Sequence, residues 1–126
     1  MRLFAFTLTI LLFNFFSLQA QNTDIKEDLI GTWEIDLRPS PDSDPYLKDF
    51  IITKTSETTF KGTFYGSNVK NGLINLRFGD PYLAFKSQDR SNTYYHFAKI
   101  VDGKLEGLTY SEDRQLIQPW KGQKME

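Results

Sequence analysis

The sequence contains no cysteine and a single histidine, His96, among its 126 residues. The absence of cysteine excludes disulfides, thiolate metal ligands and thiol nucleophiles. A zinc site or a catalytic triad would have to be built around that one imidazole. Acidic residues such as Asp36 and Asp49 fall on strand faces predicted to point outward, where they solvate the sheet. We therefore expect no metal site, no cofactor and no catalytic residue, and a protein that is not an enzyme.

The chain also lacks an excess of charge of either sign. Its formal net charge is −1 at pH 7, which provides no general attraction to nucleic acid or to anionic lipid. We therefore expect no nucleic-acid partner. The length is that of a single domain.

A long apolar run occurs in one place, the N-terminus. Arg2 is the only charged residue in positions 1–20, and it precedes an apolar stretch from Leu3 to Phe16 and then Ser17-Leu18-Gln19-Ala20. This order predicts a secretory signal peptide over residues 1–20, with a retained signal anchor as the alternative. We expect export to the periplasm or the medium and no stable membrane insertion after cleavage. The lack of cysteine weakly favours a bacterial source.

After residue 20 the sequence shows no helical pattern longer than a turn. Residues 21–28 are predicted to form a polar N-terminal arm, either loose or as one helical turn around Ile25 to Leu29. From Leu29 to Arg38 apolar and polar residues alternate, a period of two that indicates a half-buried strand. Prolines then mark an exposed loop over residues 39–45.

Seven further strands are predicted, separated by turn signals that include Asn71-Gly72 and Asp102-Gly103. They cover residues 46–55, 59–66, 73–78, 82–87, 93–101, 104–110 and 114–121. Gly62 and Gly107 occupy inward mid-strand positions, where a barrel bends or another side chain approaches. Eight antiparallel strands on short connections predict an all-β, up-and-down β-barrel as a single domain over residues 29–124.

Leu29-Ile30-Gly31-Thr32-Trp33 at the start of this meander resembles the calycin superfamily of lipocalins and avidins. The resemblance implies that Gly31 and Trp33 close one end of the barrel. It also implies a basic cover over the Trp33 ring from the last strand, here Arg114 or Lys121.

Two positions depart from the avidin pattern. Ile35 and Phe64 stand where avidin-like proteins carry the Asn and Tyr that hydrogen-bond biotin. An apolar residue cannot satisfy a buried polar group of the ligand, so biotin binding is not expected.

An eight-stranded barrel is either filled by its own side chains or holds one small ligand. The predicted inward face is rich in aromatic residues, namely Trp33, Phe50, Phe60, Phe64, Phe78, Phe85 and Trp120. We expect them to pack the closed half and to leave a small pocket near the open end.

The strand over residues 93–101 can present either face to the interior. If Tyr94 and His96 point inward, a phenol and an imidazole enter the barrel, whereas the other arrangement would carry Lys99 inward. The first arrangement predicts a site for a small hydrophobic or uncharged ligand, formed by Tyr94, His96, Thr109, Gln118 and Trp120. A structural role for a lone buried histidine is the alternative.

A filled barrel would have a different function. It would act as a structural or protein-interaction module of the cell envelope. Outward apolar residues would then form a contact face or the interface of a homo-oligomer, and the candidates are Ile30, Ile51, Tyr65 and Leu108.

Overall fold

The structure is a computed structural model that describes residues 25–126. The predicted signal peptide over residues 1–20 lies outside the described residues. A helical turn covers residues 25–29. The strands are β1 (Gly31–Asp36), β2 (Leu47–Thr55), β3 (Thr59–Phe64), β4 (Ser67–Asn68), β5 (Lys70–Asn75), β6 (Tyr82–Gln88), β7 (Thr93–Val101), β8 (Lys104–Ser111) and β9 (Leu116–Lys124).

The strands form a closed antiparallel barrel. Apart from β4 and β5, strands that follow one another along the chain pair with each other, and pairing of β1 with β9 completes the ring. The two-residue β4 and the longer β5 both pair with β3, so they form one interrupted strand of the barrel. The prediction of an all-β, eight-stranded antiparallel barrel is therefore confirmed. No helix in residues 25–126 has the length and apolar composition needed to cross a membrane.

The helical turn lies against one end of the barrel. Leu29, its last residue, is 1% exposed, and the Trp33 indole Nε1 donates to the Leu29 carbonyl oxygen at 3.0 Å. Next to them, the rings of Phe50, Phe60 and Phe85 pack with centroids 4.9 to 6.1 Å apart. This end is closed by apolar packing.

The predicted Asn71-Gly72 turn is wrong. The chain reverses at Tyr65-Gly66, whose φ angles are 52° and 80°, and both Asn71 and Gly72 lie inside β5. Asn71 does adopt a positive φ of 52°, but at a register shift between β5 and β6. The left-handed conformation of Asn71 therefore belongs to a β-bulge and not to a hairpin turn.

Because β5 ends at Asn75, the inward placement predicted for Phe78 is also wrong. Phe78 falls in the following turn and is 74% exposed. The other predicted inward aromatic residues are buried. The Asp102-Gly103 turn is present, with φ angles of 52° and 76°.

Candidate functional site

A cavity of about 710 Å³ lies at the end of the barrel opposite the helical turn. Its inner wall comes from the interior faces of β6 to β9 and from Phe64 at the end of β3. Its rim comes from the proline loop between β1 and β2, the β3–β4 turn and the turns that follow β6 and β8. The barrel is thus packed in one half and hollow in the other.

Strand β7 presents Tyr94 and His96 to the interior. His96 is 2% exposed, whereas the neighbouring Phe97 is 51% exposed and points outward. Tyr94, His96, Thr109 and Gln118 all line the cavity. Trp120 does not line it but stands behind Thr109, to which its indole Nε1 donates at 2.9 Å. The structure therefore brings the five predicted residues together at the open end.

A chain of hydrogen bonds forms the floor of the cavity. His96 Nε2 lies 2.7 Å from Ser87 Oγ, and His96 Nδ1 lies 2.8 Å from Thr109 Oγ1. With the Trp120 bond, this chain connects four buried side chains on four adjacent strands. The imidazole also stacks on Phe85, with ring centroids 4.6 Å apart and planes inclined by 24°.

The surroundings of His96 set its charge. Burial lowers the pKa of the imidazole from 6.5 to about 4, because the charged form would lose its hydration without gaining an anionic partner. The ring is therefore neutral at pH 7. The floor of the cavity is polar but uncharged.

Ser87 is a site residue that the sequence prediction missed. It is 5% exposed, lines the cavity and holds the Nε2 side of His96. The sequence pattern could have identified this residue. Leu83 and Phe85 point inward, and the next inward position in a strand with a period of two is Ser87. The predicted strand ended at that position, so its last inward side chain was overlooked.

Gln118 holds the proline loop in place. Its side-chain Nε2 donates to the carbonyl oxygens of Leu37 and Arg38, at 2.6 and 3.0 Å. At the base of the loop, Arg38 Nε donates to Asp36 Oδ2 at 2.8 Å, and this bond is the main reason why the pKa of Asp36 falls to about 2. Gln118 thus supports the rim of the cavity from inside the barrel.

The rim carries tyrosines whose hydroxyls are engaged. Tyr94 donates to Asp89 Oδ2 at 2.8 Å, and Arg114 Nη1 donates to the Tyr94 hydroxyl at 3.3 Å. Bonds from the Ser91 backbone and then from Tyr94 lower the pKa of Asp89 to about 2. The charges of Asp89 and Arg114 are therefore both engaged by Tyr94.

Arg114 lies at the open end and not over Trp33. The last strand begins at Leu116, so Arg114 belongs to the turn before it. At the closed end, β9 continues to Lys124, which is opposite Trp33 in register and whose Nζ donates to the Asp28 carbonyl oxygen at 2.6 Å. The basic residue beside the closed end is Lys124, in place of the predicted Arg114 or Lys121.

Gly31 lies next to that lysine. Its φ is 141°, and a Cβ there would come within 2.9 Å of Lys124 Cε. A side chain at this position would push the Lys124 side chain aside and disturb its hydrogen bond to the Asp28 carbonyl oxygen.

Comparisons with protein-family models, with curated proteins and with solved structures found no match to this chain. The closed barrel is compatible with a calycin-like fold.

The Ser87–His96 pair is the nearest approach to a catalytic arrangement in the described residues. A histidine with a pKa of about 4 is a weak general base at neutral pH. Its other nitrogen meets the neutral Thr109 hydroxyl, which cannot stabilise an imidazolium as a carboxylate does. No group of three or more His, Asp or Glu residues that could hold a metal ion occurs in residues 25–126. The floor of the cavity therefore offers neutral groups that donate and accept hydrogen bonds.

Proposed function

We propose that this protein is an exported, non-enzymatic barrel of calycin type that binds one small ligand in its open end. The observation that carries the proposal is the cavity of about 710 Å³ with a buried, neutral, hydrogen-bonded floor. Its volume falls in the range of small-molecule sites, roughly 300–1,000 Å³.

The cavity favours an uncharged and largely apolar ligand. The polar side chains of its floor are neutral, and the aromatic faces of Phe64 and Tyr94 form part of its wall. A charged ligand group would lose its water there without meeting an opposite charge, which is unfavourable. Asp89 and Arg114 at the rim are already bound to Tyr94.

Export is supported by the sequence of residues 1–20, with Arg2 before an apolar run and Ala20 at its end. We place the mature protein in the periplasm or outside the cell, with a bacterium as the proposed source. Sequencing the N-terminus of protein recovered from the producing cells tests this. A first residue near Gln21 is expected, and an intact N-terminus on cell-associated protein would contradict it.

Ligand binding is tested with the uncharged dye N-phenyl-1-naphthylamine, excited directly so that tryptophan emission does not interfere. We expect saturable binding of one dye per chain. Leu116 lines the cavity and Ile117 is 68% exposed on the outer face, so they form a matched pair. Leu116→Trp should narrow the mouth and weaken binding at least tenfold, whereas Ile117→Trp should not. Absence of saturable binding, or equal loss in both variants, would contradict the proposal.

A second function, self-association, is favoured by the outer surface. Leu73, Ala84, Phe97, Leu108 and Pro119 lie opposite one another in register across β5 to β9. They form a continuous apolar row, in which Leu73 and Phe97 are each more than half exposed. Exposed apolar patches of this kind mark contact sites.

The residues predicted for a contact face do not lie together. Leu108 belongs to the apolar row. Ile30 precedes β1 at the closed end, Tyr65 lies in the β3–β4 turn at the rim, and Ile51 is half-buried on β2. The proposed homo-oligomer interface is therefore the row across β5 to β9.

A further inference from the structure

The floor of the cavity has one more hydrogen to donate than it can use internally. Neutral Ser87, His96, Thr109 and Trp120 each carry one polar side-chain hydrogen. Three hydrogen bonds join them: one between Ser87 and His96, one between His96 and Thr109, and one that Trp120 donates to Thr109. Four hydrogens and three bonds leave one hydrogen over, whichever nitrogen of His96 is protonated.

The hydrogen left over belongs to a hydroxyl that faces the cavity. If His96 carries its proton on Nε2, that hydrogen is on Ser87. If the proton is on Nδ1, it is on Thr109. Within residues 25–126 neither hydroxyl makes a further hydrogen bond, and both residues line the cavity while being only 5% and 6% exposed.

The direction of the chain assigns this hydrogen to Ser87. The Trp120 indole can only donate, so Thr109 Oγ1 accepts its bond. When Thr109 then donates to Nδ1 and Nε2–H donates to Ser87, every bond polarises the next one in the same direction. In the opposite tautomer two N–H groups converge on the Thr109 oxygen and this reinforcement is lost.

We infer that the ligand carries a hydrogen-bond acceptor, such as a carbonyl, ether or hydroxyl oxygen, which accepts from the Ser87 hydroxyl at the floor of the cavity. This inference rests on the proposed function and specifies the ligand's chemical class. The rest of the molecule lies against the rings of Phe64 and Tyr94. A pure hydrocarbon of the same shape would leave the Ser87 hydrogen buried without an acceptor.

The test uses two probes of nearly the same shape, 2-acetylnaphthalene and 2-ethylnaphthalene, which differ in one carbonyl oxygen. Their dissociation constants are measured by calorimetry on the full mature chain. The ratio of the two constants is compared between variants, because the difference in hydrophobicity between the probes then cancels. Ser87→Ala removes the donor, Ser87→Thr keeps it, and Ser67→Ala removes a hydroxyl of the cavity wall outside the floor.

We expect Ser87→Ala to reduce the preference for the ketone about fivefold to tenfold, the value of one hydrogen bond. Ser87→Thr and Ser67→Ala should leave the preference within about twofold of the wild type. If both probes bind and Ser87→Ala leaves their ratio unchanged, the inference is wrong and the binding function stands. If neither probe binds the wild-type protein, the proposed function fails and the inference fails with it.

A second measurement tests the tautomer. Because His96 is the only histidine in the chain, its imidazole nitrogens can be followed by ¹⁵N NMR without site assignment. A proton on Nε2, with a shift change on addition of the ketone that the hydrocarbon does not cause, supports donation by Ser87. A proton on Nδ1 would overturn that assignment.

Discussion

Gly107 leaves space on the inner wall of the barrel for the indole of Trp120. A Cβ at this position would lie 2.2 Å from Trp120 Cε2, well inside van der Waals contact. Because glycine has no side chain, the indole can occupy this space. From there it donates to Thr109 in the floor of the cavity.

Gly107→Ala should destabilise the protein by overpacking. We expect a loss of about 1–3 kcal/mol in the free energy of unfolding, because the ring must move or the strand must shift. Urea unfolding measures this, and Glu106→Ala on the exposed face of the same strand should change stability by less than about 0.5 kcal/mol. Equal effects of the two variants would show that the indole does not depend on this space.

His96 makes stability depend on pH in a defined window. Its pKa is about 4 in the folded protein and 6.5 as the reference for the unfolded chain. Between these values the unfolded chain binds more protons, so the free energy of unfolding falls as the pH is lowered from 6.5 to 4. The full loss is about 3 kcal/mol, at roughly 1.4 kcal/mol per pKa unit.

This pH prediction is checked by urea unfolding at several pH values on the wild type and on His96→Gln, which does not titrate. The variant should be nearly flat over the same window. Asp36 and Asp89 do not interfere, because their pKa values drop from 3.8 to about 2 and their contribution is lost only below about pH 4. A wild-type curve as flat as that of the variant would contradict burial of a neutral imidazole.

The proline loop between β1 and β2 is held to the barrel by hydrogen bonds. It spans residues 37–46, forms one side of the rim and is held from β9 by the two bonds of Gln118. Few apolar contacts hold the loop in addition to these bonds, since Pro39, Pro41 and Asp42 are exposed.

Gln118→Leu should release this loop. We expect faster amide hydrogen exchange over residues 37–46 with little change in the strands, because local opening depends on local bonds. Gln123→Leu provides a matched control, since Gln123 lies on the same strand and is exposed. Unchanged exchange in Gln118→Leu would mean that other contacts fix the loop.

The strands could be predicted because burial on one face imposes a period of two on the sequence. The bulge at Asn71 could not be predicted, because the same left-handed conformation occurs in hairpin turns and in bulges. The two readings shift β5 by three residues, and that shift moves Phe78 from the interior to solvent.

The sequence favoured the observed inward face of β7, because the other choice would carry Lys99 into the barrel, but it left both faces open. The contacts of His96 with Ser87 and Thr109 could not be predicted, because they depend on the pairing register of β6, β7 and β8. Arg114 was misplaced for a similar reason, since a start of β9 two residues later puts it in a turn.

At the scale of the whole molecule the barrel consists of a packed apolar half and a hollow half. The helical turn, Leu29, Trp33 and the phenylalanine rings fill one half. The other half is hollow, and its polar groups are ordered by one another and by Trp120. Such a division lets the cavity keep buried polar groups, which contribute little to net stability, because the apolar core at the other end stabilises the fold.

The outer apolar row is a property of the closed barrel as a whole, because five strands contribute one residue each in register. If a second copy covers it, the wild-type mature protein should be a dimer in light scattering coupled to gel filtration. Phe97→Lys places a charge in the middle of the row and should give a monomer, since burial of an unpaired charge is unfavourable. Leu47→Lys makes the same kind of change at an exposed position on β2 and should leave the dimer intact. A wild-type monomer at high concentration would exclude self-association through this row and leave ligand binding in the open end as the function that the barrel supports.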